Sequence, residues 1–352
     1  MNNIELIKNI SNATGLDIKS NIPLARFTTW KIGGPAQMLG IPKSKEQLVK
    51  VIQYCQKNSV KYTILGKGSN VLISDKGVND LVIINEYSGI EILSKIAKSS
   101  NFESSNLTPR VNVKDYSDLD YLEEDLEKIV INVASGTILS YTINHLISKG
   151  ITGLQWFAGI PGTIGGALYN NIHGGTHFFS EFVMSATVID DNGNLIELTK
   201  EQMKFDYDES IFHSKNFIVV DVKLLLNLGD AKKALKASQA WVKKKAETQP
   251  FNSGGCCFKN LSDNEKNSRQ LISNSWGYII DNLLHLKGTQ IGDAIISNKH
   301  GAFIENIGDA KASDVLGLMK IIHEKAKEVL KITPKTEIIF IGFDKKETEM
   351  FL

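Results

Sequence analysis

A mixed α+β fold of more than one domain is what the sequence predicts, and three observations predict it. The chain has 352 residues, beyond the ~100–200 of one ordinary domain. Strand-like and helix-like segments alternate along it, joined in places by hairpin turns. Its composition, 42% hydrophobic and 22% charged, is that of a soluble globular protein with enough apolar surface to fill a core.

The same numbers bear on function. Forty basic against 39 acidic side chains leave a net charge of +1, which gives no reason to expect nucleic acid or an anionic membrane as a partner. No apolar run reaches the ~18 residues of a membrane span. The opening M-N-N-I-E-L-I-K-N-I lacks the basic-then-apolar plan of a signal peptide. Cys55, Cys256 and Cys257 make neither a disulfide framework nor a zinc site. The expectation is a cytoplasmic protein without membrane insertion and without a metal.

Taken in order, residues 1–22 are polar with scattered apolar positions and suit a short helix. Thr28, Thr29 and Trp30 alternate as in a strand that ends at Gly33-Gly34-Pro35. Ser44-x-x-Gln47 is a capping-box pattern, and Leu48, Val51, Ile52 and Cys55 follow at helical spacing, so 45–57 should be an amphipathic helix with Cys55 in the core. Val60–Leu65 reads as a strand emptying into G-K-G-S-N-V-L, a place where amides and a hydroxyl could meet a phosphate. The six-residue dinucleotide fingerprint is absent, and 71–73 continues as strand, which argues against a Rossmann domain. Leu81–Ile84 is another strand. Residues 95–128, serine-rich and then acidic, read as an exposed, partly disordered insertion.

Ile129–Val133 returns to strand, and a helix follows with Leu139, Ile143, Leu146 and Ile147 inward. The stretch from Gly153 to Gly175 then holds seven of the chain's 28 glycines. It can point several amides at a phosphate or a flat ring; it can equally be a tight turn packed on a strand. Val183–Ile189 and Leu195–Leu198 form a hairpin around Asn192-Gly193. Phe205–Ser214 is a loop, Phe217–Leu226 a strand, and Asp230–Thr248 a lysine-rich helix. A second glycine-centred loop spans Gln249–Asn260, and Trp276–Leu284 looks helical. Phe303–Asn306 is a strand. Ser313–Lys331 is a helix with Val315, Leu316, Met319, Ile322, Ala326, Val329 and Leu330 inward, and Thr336–Gly342 is a last strand.

Six of these strings, in this order, resemble one family, the UDP-N-acetylenolpyruvoylglucosamine reductases (UDP-N-acetylmuramate dehydrogenases). They are P-L-A-R-F-T-T-W-K-I-G-G-P-A, I-L-G-K-G-S-N-V-L-I-S-D, G-L-Q-W-F-A-G-I-P-G-T-I-G-G-A, G-C-C-F-K-N, L-K-G-T-Q-I-G-D-A and S-N-K-H-G-A-F-I-E-N. The resemblance covers nearly the whole chain except 95–128. It implies a three-domain flavoprotein. Residues 1–85 with 333–352, and 86–228, would form an FAD-binding fold of the vanillyl-alcohol-oxidase (PCMH-like) kind; 229–332 would bind substrate. The few residues between the strand at 217 and the helix at 230 look like the shorter subtype, which lacks a tyrosine-bearing loop.

The implied chemistry passes hydride from NADPH to FAD, then to C3 of UDP-N-acetylglucosamine enolpyruvate, with protonation at C2, giving a peptidoglycan precursor. By motif position Gly66, Gly68, Ser69, Asn70, Gly159, Ile160, Pro161, Gly162, Gly165, Gly166 and Asn171 would hold FAD. Lys245, Lys259, Asn260 and Gln290 would hold the sugar. Cys256 aligns with the family's serine and Glu337 with its glutamate. A thiol, with a reference pKa of about 8.5, suits proton donation to C2; in an extended loop Cys257 would turn to the opposite face and pack. Asp208 stands in the catalytic position where the family has arginine, reversing the charge, with His213 and Lys215 as possible substitutes in the same loop. Asn171-Ile172-His173-Gly174-Gly175 departs from the family's Asn-x-Gly-Ala-Tyr-Gly. His173 and His177 lack a third ligand in sequence and read as exposed or ring-edge histidines. The rivals are another FAD-dependent alcohol or sugar oxidoreductase of the same fold, and a flavin- or nucleotide-sugar-binding protein with impaired turnover.

Overall fold

The computed structural model describes residues 3–96, 121, 123 and 127–351, so most of the insertion expected at 95–128 lies outside the described residues. Two compact units emerge. The first comprises 1–18, 40–67 and 83–245; the second comprises 19–39, 68–82 and 246–352.

In the first unit an antiparallel sheet runs in the order Leu195–Thr199, Val183–Ile189, Ile218–Leu228, Lys128–Ala134, Ile90–Ile96, with the short strand Ile151–Thr152 also on Ile218–Leu228. The strand Ile218–Leu228 is buried at nearly every position. That accounts for its near-continuous apolar run I-V-V-D-V-K-L-L-L, since a strand covered on both faces needs no alternation. Its one acid in the run, Asp221, meets Lys45 Nζ at 2.7 Å and Tyr87 OH at 2.8 Å. The helices Leu139–Ile147, Ile164–Tyr169 and Ala231–Thr248 bury Leu139, Ile143, Leu168 and Trp241 in the same core. The helix Lys45–Lys57 begins as the capping pattern requires, Ser44 Oγ accepting from the Gln47 amide, and Cys55 is fully buried.

In the second unit Ser253–Cys256, Phe303–Asn306, Ala294–Ile296 and Gln290–Ile291 make an antiparallel sheet in that order. The helix Ala312–Leu330 packs on it, its core shared with Phe258, Trp276 and Ile280. Val71–Ile73 pairs in parallel with Ile339–Ile341.

Two expectations need correction. Residues 28–30 are not a strand: a short 3-10 turn at Ala25–Phe27 leads into a bend, because Thr28 Oγ1 donates to Ile32 O at 2.9 Å and Trp30 is drawn into the core, its Nε1 donating to Ile304 O at 2.7 Å. The strands flank this bend, at Ile18–Pro23 and Pro35–Gly40. On the helix Ala312–Leu330, Leu318 is buried where Val329, 50% exposed, was expected. The segment Trp276–Leu284 is helical as expected, one α turn at Trp276–Tyr278 widening into a π turn at Ile279–Leu283. After the last strand, two short helical turns at Lys345–Thr348 and Glu349–Phe351 close the chain; their polar sequence gave no sign of them.

Candidate active site

In the second unit three strings far apart in sequence meet through the backbone. Glu337 N donates to Cys257 O at 3.0 Å, Asn70 Nδ2 donates to Glu337 O at 3.1 Å, and Ile339 N donates to Asn70 O at 3.1 Å. This chain of bonds sets the G-K-G-S-N loop, the C-C-F-K-N segment and the T-E-I-I segment side by side. The loop needs its glycine: Gly68 has φ +61°, and a Cβ there would lie 2.3 Å from Phe27 O. Among the described residues the amides of Gly68, Ser69 and Asn70 donate to no protein acceptor. Three successive amides held this way form a cradle for an anion such as a pyrophosphate.

The two adjacent cysteines face different surroundings. Cys256 lies across from Phe303 on the neighbouring strand and is half-buried. Cys257 is fully buried among Trp276, Phe258 and their neighbours, its amide donating to Ala302 O at 2.9 Å. Burial, with the Glu337 charge adding to it, pushes the Cys257 thiol up to about 12. Cys257 is thus an inert packing group at neutral pH, and Cys256 is the more accessible thiol. Glu337 is half-buried.

The sugar-binding candidates divide between the units. Lys259 N donates to Lys335 O at 2.9 Å, and Asn260 Oδ1 accepts from the Trp276 amide at 3.0 Å, so the Asn260 side chain already fixes the fold beside it. Gln290 is exposed at the end of a hairpin, its Nε2 donating to Gly292 O at 2.7 Å. Lys245 belongs to the first unit. Half-buried, it donates from Nζ to Ala158 O at 3.0 Å and lies over the Trp241 ring, and desolvation pushes it down to about 7.

In the first unit the glycine stretch resolves into a short 3-10 turn at Gln155–Phe157, a loop over 158–163 containing Ile160 and Pro161, and the helix Ile164–Tyr169. Gly165 is where close approach is required: its amide donates to Ser135 O at 2.7 Å, and a Cβ would sit 2.9 Å from Ser135 Cβ. Thr163 caps the helix, accepting from the Gly166 amide at 3.2 Å. The amides of Gly159 and Gly162 donate to no protein acceptor among the described residues. Asn171, fully buried with φ +44°, ties two loops together: its Nδ2 donates to Asp206 O, and its Oδ1 accepts from the Ser180 amide, both at 2.9 Å. Asp208, 6% exposed with φ +51°, is held against His173 Nδ1 at 3.2 Å. His213, in the same loop, lies tilted against Tyr169 with ring centroids 4.5 Å apart. His177 is no exposed histidine: it lies nearly parallel on Trp156 at 4.7 Å, and its Nδ1 meets Glu181 at 2.8 Å.

Sequence reasoning did not single out Thr163, Ser135 or the engagement of His173. Thr163 carried a signal, a threonine three residues before Gly166 at a helix start. Ser135 and His173 carried none, because their partners come from distant parts of the chain.

Comparisons with known proteins point to one family. Residues 247–341 match the C-terminal domain of UDP-N-acetylenolpyruvoylglucosamine reductase, and 36–104 and 97–199 match an FAD binding domain. The reductase of that name from Clostridium novyi is 31% identical over 93% of this chain and 92% of its own. The Bacillus subtilis reductase is 32% identical over 92% and 94%. The crystal structure of the Thermus caldophilus reductase superposes with a TM-score of 0.67 at 26% identity, covering 93% of this chain and 99% of that one.

Proposed function

The chain belongs to the UDP-N-acetylenolpyruvoylglucosamine reductase family, and from that membership we infer how its own residues carry out the family's reaction. It is an FAD-dependent oxidoreductase that uses NADPH to reduce UDP-N-acetylglucosamine enolpyruvate to UDP-N-acetylmuramate for peptidoglycan. The observation that carries the residue-level reading is the bonded series Asn70, Glu337, Cys257, which gathers three motif strings at one place.

FAD, when bound, carries hydride from NADPH to C3 of the enolpyruvyl group. The protein's task is to hold that group and to protonate C2. The Gly68–Asn70 amides supply donors for a pyrophosphate without needing a cation. Cys256 is the proton donor in this reading. Its thiol is at the end of a strand paired with Phe303, and the buried Cys257 beside it anchors the segment in the core. Glu337 stabilises the enol form or faces the same carbon from the other side. By motif position Lys259, Asn260 and Gln290, all in the second unit, hold the nucleotide sugar. No helix among the described residues is long and apolar enough to cross a membrane, which fits a reaction on a soluble nucleotide sugar in the cytoplasm.

The test is a single-turnover assay. Purified protein should be yellow, and NADPH should reduce its flavin; the enolpyruvyl sugar should then reoxidise it, without hydrogen peroxide release. A colourless protein that takes up no FAD would end this reading.

A further inference from the structure

We propose that His173 presents its Nε2 to an anionic oxygen of a bound molecule, a carboxylate or a phosphate, and that Asp208 is the positioning residue that aims it. The inference rests on the reading above. His173 Nδ1 lies 3.2 Å from Asp208 Oδ1, and the carboxylate is almost wholly buried while the imidazole keeps 24% of its surface exposed. A buried carboxylate against Nδ1 selects the Nδ1–H form, so the ring's other polar end is Nε2. Among the described residues no hydrogen bond reaches Nε2. When the ring carries a second proton both nitrogens donate, one inward to Asp208 and one outward. An outward N–H on a charged ring is a strong donor to an anion.

The surroundings hold this aim. Phe178 and Tyr207 flank the ring at 5.9 and 5.2 Å. Asn171 clamps the backbones on either side, through Asp206 O and the Ser180 amide, and Ser210 Oγ donates to Tyr169 O at 2.5 Å. Both Asn171 and Asp208 have left-handed backbone at +44° and +51°. Such conformations persist where the surrounding structure over-determines them, and they concentrate in ligand clamps. Two of the stretches where this chain departs from its family's strings, 171–175 and 208–209, are in contact through His173 and Asp208 and form one device. A donor absent at 208 is supplied from 173, and the acid at 208 orients it.

The experiment compares wild type with His173→Gln, Asp208→Asn and Asp208→Glu. FAD affinity is read by quenching of flavin fluorescence on the apoprotein. Binding of the enolpyruvyl sugar is read beside binding of UDP-N-acetylglucosamine, which lacks the carboxylate. If the anion is the carboxylate, His173→Gln weakens the enolpyruvyl sugar about 10–100-fold, the loss of one hydrogen bond to a charged group, and leaves UDP-N-acetylglucosamine and FAD unchanged. If it is a phosphate of FAD, the loss appears in FAD affinity; if a phosphate of the sugar nucleotide, it appears equally in both sugars with FAD unchanged. Asp208→Asn should follow His173→Gln to a lesser degree, and Asp208→Glu should recover part of the loss, which a purely structural carboxylate would not do. Wild-type affinities for all three ligands in His173→Gln would overturn the inference while leaving the reductase reading standing. Wild type that binds no FAD would overturn the reading itself.

Discussion

The glycine stretch at 153–175 and the cysteine segment at 253–260 do comparable work by different means. In the first, the proposed functional surface is the backbone itself. Gly165 is pressed against Ser135, and Thr163 caps the helix at its edge. A side chain at that glycine has nowhere to go, so the function leaves a mark on the sequence. In the second, the working group is a side chain whose direction is set by a neighbouring strand. Cys256 and Cys257 are chemically identical letters; pairing with Phe303 and Ala302 makes one accessible and the other inert. Backbone function is legible as glycine, whereas side-chain function depends on the partner that fixes the face.

Breaking the first region should have the largest effect. Gly165→Val forces a Cβ into Ser135, at an overpacking cost of about 1–3 kcal/mol spread into the loop. The expected result is protein that purifies without yellow colour and does not regain it on FAD addition. A yellow variant of wild-type affinity would mean that the loop can yield without loss.

Next comes the second region. Cys256→Ala should leave flavin reduction by NADPH intact and slow reoxidation by the enolpyruvyl sugar about 10²–10⁴-fold, the usual worth of a positioned acid. Cys256→Ser should recover part of that step, and Cys257→Ala should lose stability with little change in this half-reaction. Stopped-flow traces of the two half-reactions decide it; wild-type reoxidation in Cys256→Ala would move the donor role to Glu337 or water.

A smaller effect is expected at Asn260, which accepts from the Trp276 amide and is proposed to bind the sugar. Asn260→Ala removes the acceptor of the Trp276 amide, costing about 1–3 kcal/mol of stability in a denaturant titration. It should also raise KM for the sugar about 10-fold, with NADPH still reducing the flavin. Equal loss of both half-reactions would assign the residue to the fold alone.

The smallest effect sharpens the comparison from Lys245, which donates to Ala158 O inside the glycine stretch. Its folded pKa is about 7 against 10.5 for the free side chain. Between those values the unfolded chain binds more protons, so stability should rise with pH across that window. Below about 7 both states are protonated and the burial penalty is constant. The Tm difference between wild type and Lys245→Met should therefore move in favour of wild type from pH 7 to 10; a flat difference would show that Lys245 is solvated.

Local pattern made several elements readable. Ser44 and Gln47 with apolar residues at helical spacing gave the helix Lys45–Lys57, and Asn192-Gly193 gave the hairpin between Val183–Ile189 and Leu195–Thr199. The segment at 28–30 was misread because Thr-Thr-Trp has strand propensity, yet the Trp30 ring gains more from the distant core and from Ile304 O than a strand pairing there would offer. Strings of glycine, capping residues and apolar period were sufficient for the mixed fold and the family, because each acts over a few neighbouring residues. Only the tertiary structure decided that His173 meets Asp208, 35 residues away, and that Asn70 reaches Glu337, 267 residues away. Those outcomes depend on which distant backbones pair, and the register of that pairing is a property of the packed chain that no local spacing carries.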